Sequence, residues 1–263
     1  LTEEHFKFLA SNSPYRVQMT LYGGSNETYD RLCHHSKGFD RVIEAIEGFK
    51  RYNIPLKLSA SLTPANIGDL EEIYRIAREY NVYVQATPYM FPPLRRDASM
   101  VGTNFRFSPE EAGYHMARIE RLRFGEEGLP DRLERLLDDQ KRRADKFTED
   151  DCQRDPFEPM GCRAGRSCFW VNWKGEMTAC GMQNDPKGYP FRDGLKVAWD
   201  QIREHTKAVR MPVKCSTCDK RSSCSVCGAS VYCENGSINN ISPSYVCQMT
   251  ESYLDFLHKF TER

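Results

Sequence analysis

Residues 55–88 read PLKLSASLTPANIGDLEEIYRIAREYNVYVQATP, and the order of elements in this stretch decides the fold. Leu56, Leu58, Ala60 and Leu62 alternate with Lys57, Ser59 and Ser61, the two-residue period of a strand. Pro64 breaks the pattern, and Asn66 is placed as the N-cap of a helix that buries Leu70, Ile73, Ile76, Ala77 and Tyr80. Alternation returns from Val82 to Pro88, so the stretch is strand, helix, strand.

The same unit occurs upstream. Arg16 to Gly23 (RVQMTLYG) reads as a strand, and Phe39, Val42, Ile43, Ile46 and Phe49 form one apolar helix face before Pro55. A β-α-β-α-β run with crossover helices predicts a right-handed parallel sheet and an α/β fold. Fully buried parallel strands are apolar on both faces, whereas these are not. Val17, Met19, Leu21, Val84 and Ala86 join the leucines on one face; Gln18, Thr20, Tyr22, Gln85 and Thr87 join Lys57, Ser59 and Ser61 on the other. In a curved, barrel-like sheet the polar face would line a lumen fit for a polar ligand. The alternative is a sheet with one solvated face.

From Phe105 to about Phe147 the sequence is helical and charge-rich. Ser108, Pro109 and Glu111 form a capping-box start ahead of Met116, Ile119 and Leu122, and a second helix follows near Leu133, Leu136, Leu137, Ala144 and Phe147. Its charged face, with Lys141, Arg142 and Arg143, is of the kind that faces solvent. The region reads as a connector and not as a nucleic-acid site.

Charge and hydropathy narrow the function classes. The 263 residues carry 37 basic and 37 acidic groups, so no net field draws nucleic acid or an anionic membrane. No run approaches the roughly 18 apolar residues of a spanning helix. The opening LTEEHFKFLA has no signal-peptide pattern, and cytoplasmic residence is expected. Because the chain starts at Leu1 instead of Met, it is expected to be a fragment or processed piece of a longer protein.

Of 11 cysteines, those at 162, 168, 180, 215, 218, 224, 227, 233 and 247 crowd into one stretch. A disulfide framework would require an oxidising compartment and would leave one of them over. Cys162 and Cys168 precede a hairpin turning at Lys174-Gly175, and Cys180 follows it. After a helix containing Trp199 and Ile202 come the pairs Cys215-x2-Cys218 and Cys224-x2-Cys227, then Cys233 and Cys247. Thiolates so spaced can converge on metal. Zinc sites often include histidine, and the only one in this region, His205, falls on the expected helix; iron-sulfur cubanes take four thiolates each, so two would use all but one of these cysteines. Spacing leaves both open. Cys33 and Cys152 stand outside the pattern as ordinary thiols.

The arrangement Cys162-x12-Gly175-x4-Cys180, gap, Cys215-x2-Cys218-x5-Cys224-x2-Cys227, gap, Cys247 resembles the SPASM domain of radical S-adenosylmethionine (SAM) enzymes. VQMTLYGGSNETYDRL and the stretch from Ser36 to Ile73 resemble the fourth and fifth strand-helix units of the radical SAM partial barrel. The resemblance implies the last strands of a partial (β/α)6 barrel over 1–104, a helical connector over 105–155, and a SPASM domain with a β-hairpin and C-terminal helix over 156–263. It implies two auxiliary 4Fe-4S clusters, one on Cys162, Cys168, Cys180 and Cys227, the other on Cys215, Cys218, Cys224 and Cys247. Cys224 and Cys227 are separated by two residues where the family usually has three, so Cys233 competes with Cys227. Thr20 stands where the family's strand-four serine contacts SAM, and Lys57, Ser59 and Gln85 share its face.

The implied activity is that of a radical SAM oxidoreductase or maturase. It cleaves SAM to a 5'-deoxyadenosyl radical and installs a thioether, carbon-carbon or related bond in a ribosomally made peptide. An external electron donor such as flavodoxin or ferredoxin would be a partner, with no nucleic acid and no membrane. Gly181 after Cys180, where sulfatase-maturing members carry aspartate, argues against that substrate. The Cys-x3-Cys-x2-Cys motif of the SAM-cleaving cluster does not occur in the 263 residues. The chain alone is therefore expected to be inactive, and SAM cleavage by it would overturn that expectation. The alternative function is a zinc-stabilised peptide- or protein-binding module without catalysis.

Overall fold

A computed structural model describes residues 1–92, 106–146, 162–237 and 240–262. The chain forms two compact units, Leu1–Met90 with Phe105–Leu129, and Phe91–Asn104 with Pro130–Arg263. The stretch read as a connector is thus shared between the units, and Phe147 and Cys152 lie outside the described residues.

In the first unit α1 (Glu3–Ser11) leads into β1 (Val17–Thr20), α2 (Asn26–Cys33), α3 (Gly38–Arg51), β2 (Leu56–Ser61), α4 (Leu70–Glu79) and β3 (Tyr83–Thr87). The strands pair in parallel in the order β1-β2-β3, as the crossover helices require. The apolar face is the buried one: Leu21, Leu58 and Leu62 have no exposed surface, and Ile46, Leu70, Ile73 and Ile76 are buried with them. Phe6 of α1 packs edge-on against Phe49, their ring centroids 5.3 Å apart. Leu58 sits on the central strand at zero exposure, so Leu58→Ala is expected to cost about 2–5 kcal/mol. The check is faster hydrogen exchange of the β2 amides in the variant, with a loss below about 1 kcal/mol counting against this packing.

Asn66 does not cap a helix through its side chain. Its amide lies 2% exposed, accepts from Thr63 N at 2.7 Å, and donates to Tyr22 O at 2.8 Å and Ser61 O at 3.0 Å. It ties the outgoing ends of β1 and β2 together. The chain makes a 3-10 turn over Ile67–Asp69 before α4 starts, and Asp69 Oδ2 accepts from Gly24 N at 2.9 Å. Asn66 is therefore spent on buried carbonyls that would otherwise lose their partners.

The helix α5 spans Pro109–Lys146 with a break at Gly125, whose φ of 72° and ψ of 171° are not helical. Its start is the expected capping box: Glu111 N donates to Ser108 Oγ at 3.2 Å, and the Glu111 carboxylate accepts from Ser108 N at 2.9 Å. These bonds hold the Glu111 carboxyl below its ordinary range.

In the second unit Trp170–Val171 (β4) and Met177–Thr178 (β5) form an antiparallel hairpin. Gly175 takes φ 75° at its turn, where Asn172 Oδ1 accepts from Lys174 N and Glu176 N. Helices α6 (Pro190–Asp193), α7 (Leu195–Ala208), α8 (Val213–Ser216), α9 (Gly228–Asn235) and α10 (Ser244–Thr261) follow. Met177, Ala179, Ala198 and Ile202 pack the hairpin on α7. Among the described residues, no helix is long and apolar enough to cross a membrane.

Candidate metal centres and the polar face of the sheet

Four of the cysteines share one cavity in the second unit. Cys215 on α8, Cys218 just after it, Cys224 after the 3-10 turn Asp219–Ser223, and Cys247 in the first turn of α10 line a space of about 350 Å3. These are the four residues assigned together from the sequence. A single water or ion needs only about 10–15 Å3 of such space. Among the described residues no three His, Cys, Asp or Glu side chains stand close enough to hold one metal ion. All described cysteines are free thiols, which removes a disulfide framework within the described residues.

Burial pushes the Cys215 thiol up to about 11, and the neighbouring Cys247, Cys224 and Cys218 push in the same direction against Arg221. Four thiols lining one cavity could all ionise only with a cationic group among them, which an iron-sulfur cluster or a zinc ion would supply. Lys214, Lys220 and Arg221 also line the cavity, opposed by Asp219 and Glu251. Thr250 Oγ1 lies 3.3 Å from Cys224 Sγ.

A second, smaller cavity of about 60 Å3 is lined by Cys162, Cys180 and Cys227. Each of these sulfurs accepts a backbone N–H: from Ala164 at 3.4 Å, Met182 at 3.4 Å and Ser230 at 3.5 Å respectively. Cys227 is the N-cap of α9, with Ser230 Oγ in turn accepting from Cys227 N at 2.9 Å. Its competitor Cys233 lies inside α9, fully buried, and its thiol donates to Met182 O at 3.3 Å. Cys227, and not Cys233, is on the cavity wall. Cys168 is exposed and off the wall, its backbone closing the turn with Arg163 and Gly165. The wall includes instead His205, which the sequence reading set aside because it falls on a helix.

In the first unit the polar face gathers all four candidate ligand residues. Thr20, Ser59 and Gln85 stand in register across β1, β2 and β3, Thr20 Oγ1 lies 3.4 Å from Ser59 Oγ, and Lys57 Nζ donates to Gln85 Oε1. This face is open: Gln85 and Gln18 are exposed, Thr20, Lys57 and Ser59 partly so. Beyond the outgoing ends of the strands, Arg31, Ala65, Gly68 and Asp69 border an open depression of about 710 Å3, the position where parallel α/β sheets take ligands. Arg31 and Asp69 carried no periodic signal. A Cβ on Gly23 would stand 2.4 Å from Asp69 Oδ2, so glycine after β1 leaves room for that carboxylate.

No family model matches the chain. Among curated proteins it is 21% identical over 248 residues to the AdoMet-dependent heme synthase of Methanosarcina barkeri, covering 90% of this chain and 68% of that protein. Among solved structures it superposes over its whole length on native anSMEcpe with bound AdoMet, with a TM-score of 0.64 at 15% identity and 72% of that chain covered. It also superposes on the same protein with AdoMet and the Cp18Cys peptide, with a TM-score of 0.61 at 16% identity and 73% covered. The fold is the α/β fold of radical SAM enzymes, and in sequence the chain is distantly similar to one of them.

Proposed function

We propose that the chain is the barrel-terminal and SPASM portion of a radical SAM enzyme that carries two auxiliary 4Fe-4S clusters and acts on a peptide. The observation that carries this reading is the single cavity whose walls hold Cys215, Cys218, Cys224 and Cys247. These four would hold one cluster; Cys162, Cys180 and Cys227 would hold the other, with Cys168 added by resemblance to the family. Thr20, Ser59, Gln85 and Lys57 would hold SAM against the polar face through hydroxyl, amide and ammonium groups. When bound, SAM and its reducing cluster supply hydrogen-atom abstraction, and the auxiliary clusters supply electron transfer to an external donor or acceptor such as flavodoxin or ferredoxin. The chain's own contribution is to shield the thiolates, as buried Cys215 does, and to set their potentials through the N–H groups on Cys162, Cys180 and Cys227.

Peptide as substrate is supported by the peptide-bound structural relatives. A second reading, a tetrapyrrole substrate, is favoured by the curated relative's printed activity. Reconstituted anaerobically with iron and sulfide, the protein is expected to be brown and to hold about eight irons per chain. A colourless protein with stoichiometric zinc would return the function to a binding module. Titration of the loaded protein with a cysteine-containing peptide and with a porphyrinogen, followed by cluster EPR, separates the two substrate classes.

A further inference from the structure

We propose that Lys57, Tyr83 and Arg123 form a carboxylate-binding subsite at the incoming end of the sheet, and that the substrate presents a carboxylate to it. The inference rests on the radical SAM reading above and deepens it by naming the group that the substrate carries. Gln18, Lys57 and Tyr83 stand in register across β1, β2 and β3. Their row precedes that of Thr20, Ser59 and Gln85 by two residues, about 7 Å along the strands, and a two-residue step returns to the same face. Tyr83 is 48% exposed there. Two cations lie against its ring, Lys57 Nζ at 6.0 Å and the Arg123 guanidinium at 5.4 Å from the centroid. Arg123 reaches it from α5, with Phe124 as a second aromatic support at 5.1 Å.

Neither cation is neutralised. On the same helix Arg118 meets Glu71, and Arg121 meets Glu126 at 2.5 Å, whereas among the described residues no carboxylate forms an ion pair with Lys57 or Arg123. Glu120, three residues before Arg123, makes none with it. Lys57 is also the one charged residue of the three strands. Its ammonium donates to Gln85 Oε1, which leaves two N–H groups for a ligand, and the guanidinium offers a planar fork that matches a carboxylate. The Tyr83 ring offsets part of the repulsion between the two cations, and an anion placed beside them would offset the rest. Both substrate classes considered above can supply one: a peptide through an acidic side chain or its C-terminus, a tetrapyrrole through its acid side chains.

The experiment measures, by calorimetry on the full chain, the binding of two pairs of probes: a glutamate-containing peptide with its glutamine counterpart, and a dicarboxylic porphyrin with its dimethyl ester. In one pair the carboxylate form is expected to bind at least about tenfold more tightly than the neutral form, and the pair that shows the difference names the source of the carboxylate. Lys57→Gln and Arg123→Gln should each weaken that form about tenfold and leave the neutral form unchanged, while Lys57→Arg should retain most of the affinity. Saturating SAM should leave the carboxylate probe bound. Displacement by SAM would assign Lys57 to the carboxylate of SAM itself and overturn the inference. Equal binding of charged and neutral forms, no binding of either pair, or full affinity in either glutamine variant would overturn it as well. None of these measurements needs a cluster, so a wild type that holds no iron after reconstitution overturns the parent reading instead.

Discussion

Cys215→Ser is expected to halve the iron of the reconstituted protein, from about eight atoms per chain to about four. Cys215 is the most deeply enclosed sulfur of its cavity, 6% exposed, and its thiol is held near 11 by burial and by Cys247, Cys224 and Cys218. A serine hydroxyl is a poor ligand for iron and would leave three thiolates to hold a charged group in a half-buried space. The loss should be confined to one centre, since Cys162, Cys180 and Cys227 border a different cavity. Iron and sulfide analysis, with EPR of the reduced protein, measures this. Retention of about eight irons would mean that the four cysteines around the larger cavity do not act as one donor set.

Asn66→Ala is expected to destabilise the first unit by about 3 kcal/mol. The side chain satisfies Tyr22 O, Ser61 O and Thr63 N from a buried position, and alanine would strand those groups out of reach of water. The effect should be local. Gly24 N is held by Asp69 Oδ2, so the loop after β1 keeps one tether, while the ends of β1 and β2 part. Exchange of the amides at Leu21 and Leu62, which bond Ser59 O and Thr87 O, reports this directly. Protection unchanged within about 0.5 kcal/mol would show that water replaces the amide without cost.

The parts of the fold legible in the sequence were those with a local period. Alternation over residues 16–23, 55–63 and 82–88 located the three parallel strands, which form at Val17–Thr20, Leu56–Ser61 and Tyr83–Thr87. It also sorted their faces, because a two-residue period leaves no choice of side once one face is buried. The resemblance to the SPASM pattern grouped Cys215, Cys218, Cys224 and Cys247, which line one cavity. What escaped was set by distance along the chain. Asn66 looked like a helix cap because it precedes an amphipathic helix, yet its partners include Tyr22, 44 residues away. His205 was discounted for lying on a helix, and no local pattern announces that Gly165 packs on the end of that helix. Helix α2 also passed unread. Ser25 accepts from Thr28 N at 3.2 Å to start it, but with only Thr28 and Tyr29 buried it shows no apolar stripe.

The cap of α9 has a consequence for how such a protein matures. Cys227 Sγ closes the first turn of the helix by accepting the Ser230 N–H, and the same atom borders the smaller cavity. A thiolate held by iron is a stronger acceptor than a thiol, so filling the centre is expected to tighten the first turn of α9, which the Cys227–Ser230 bond already closes.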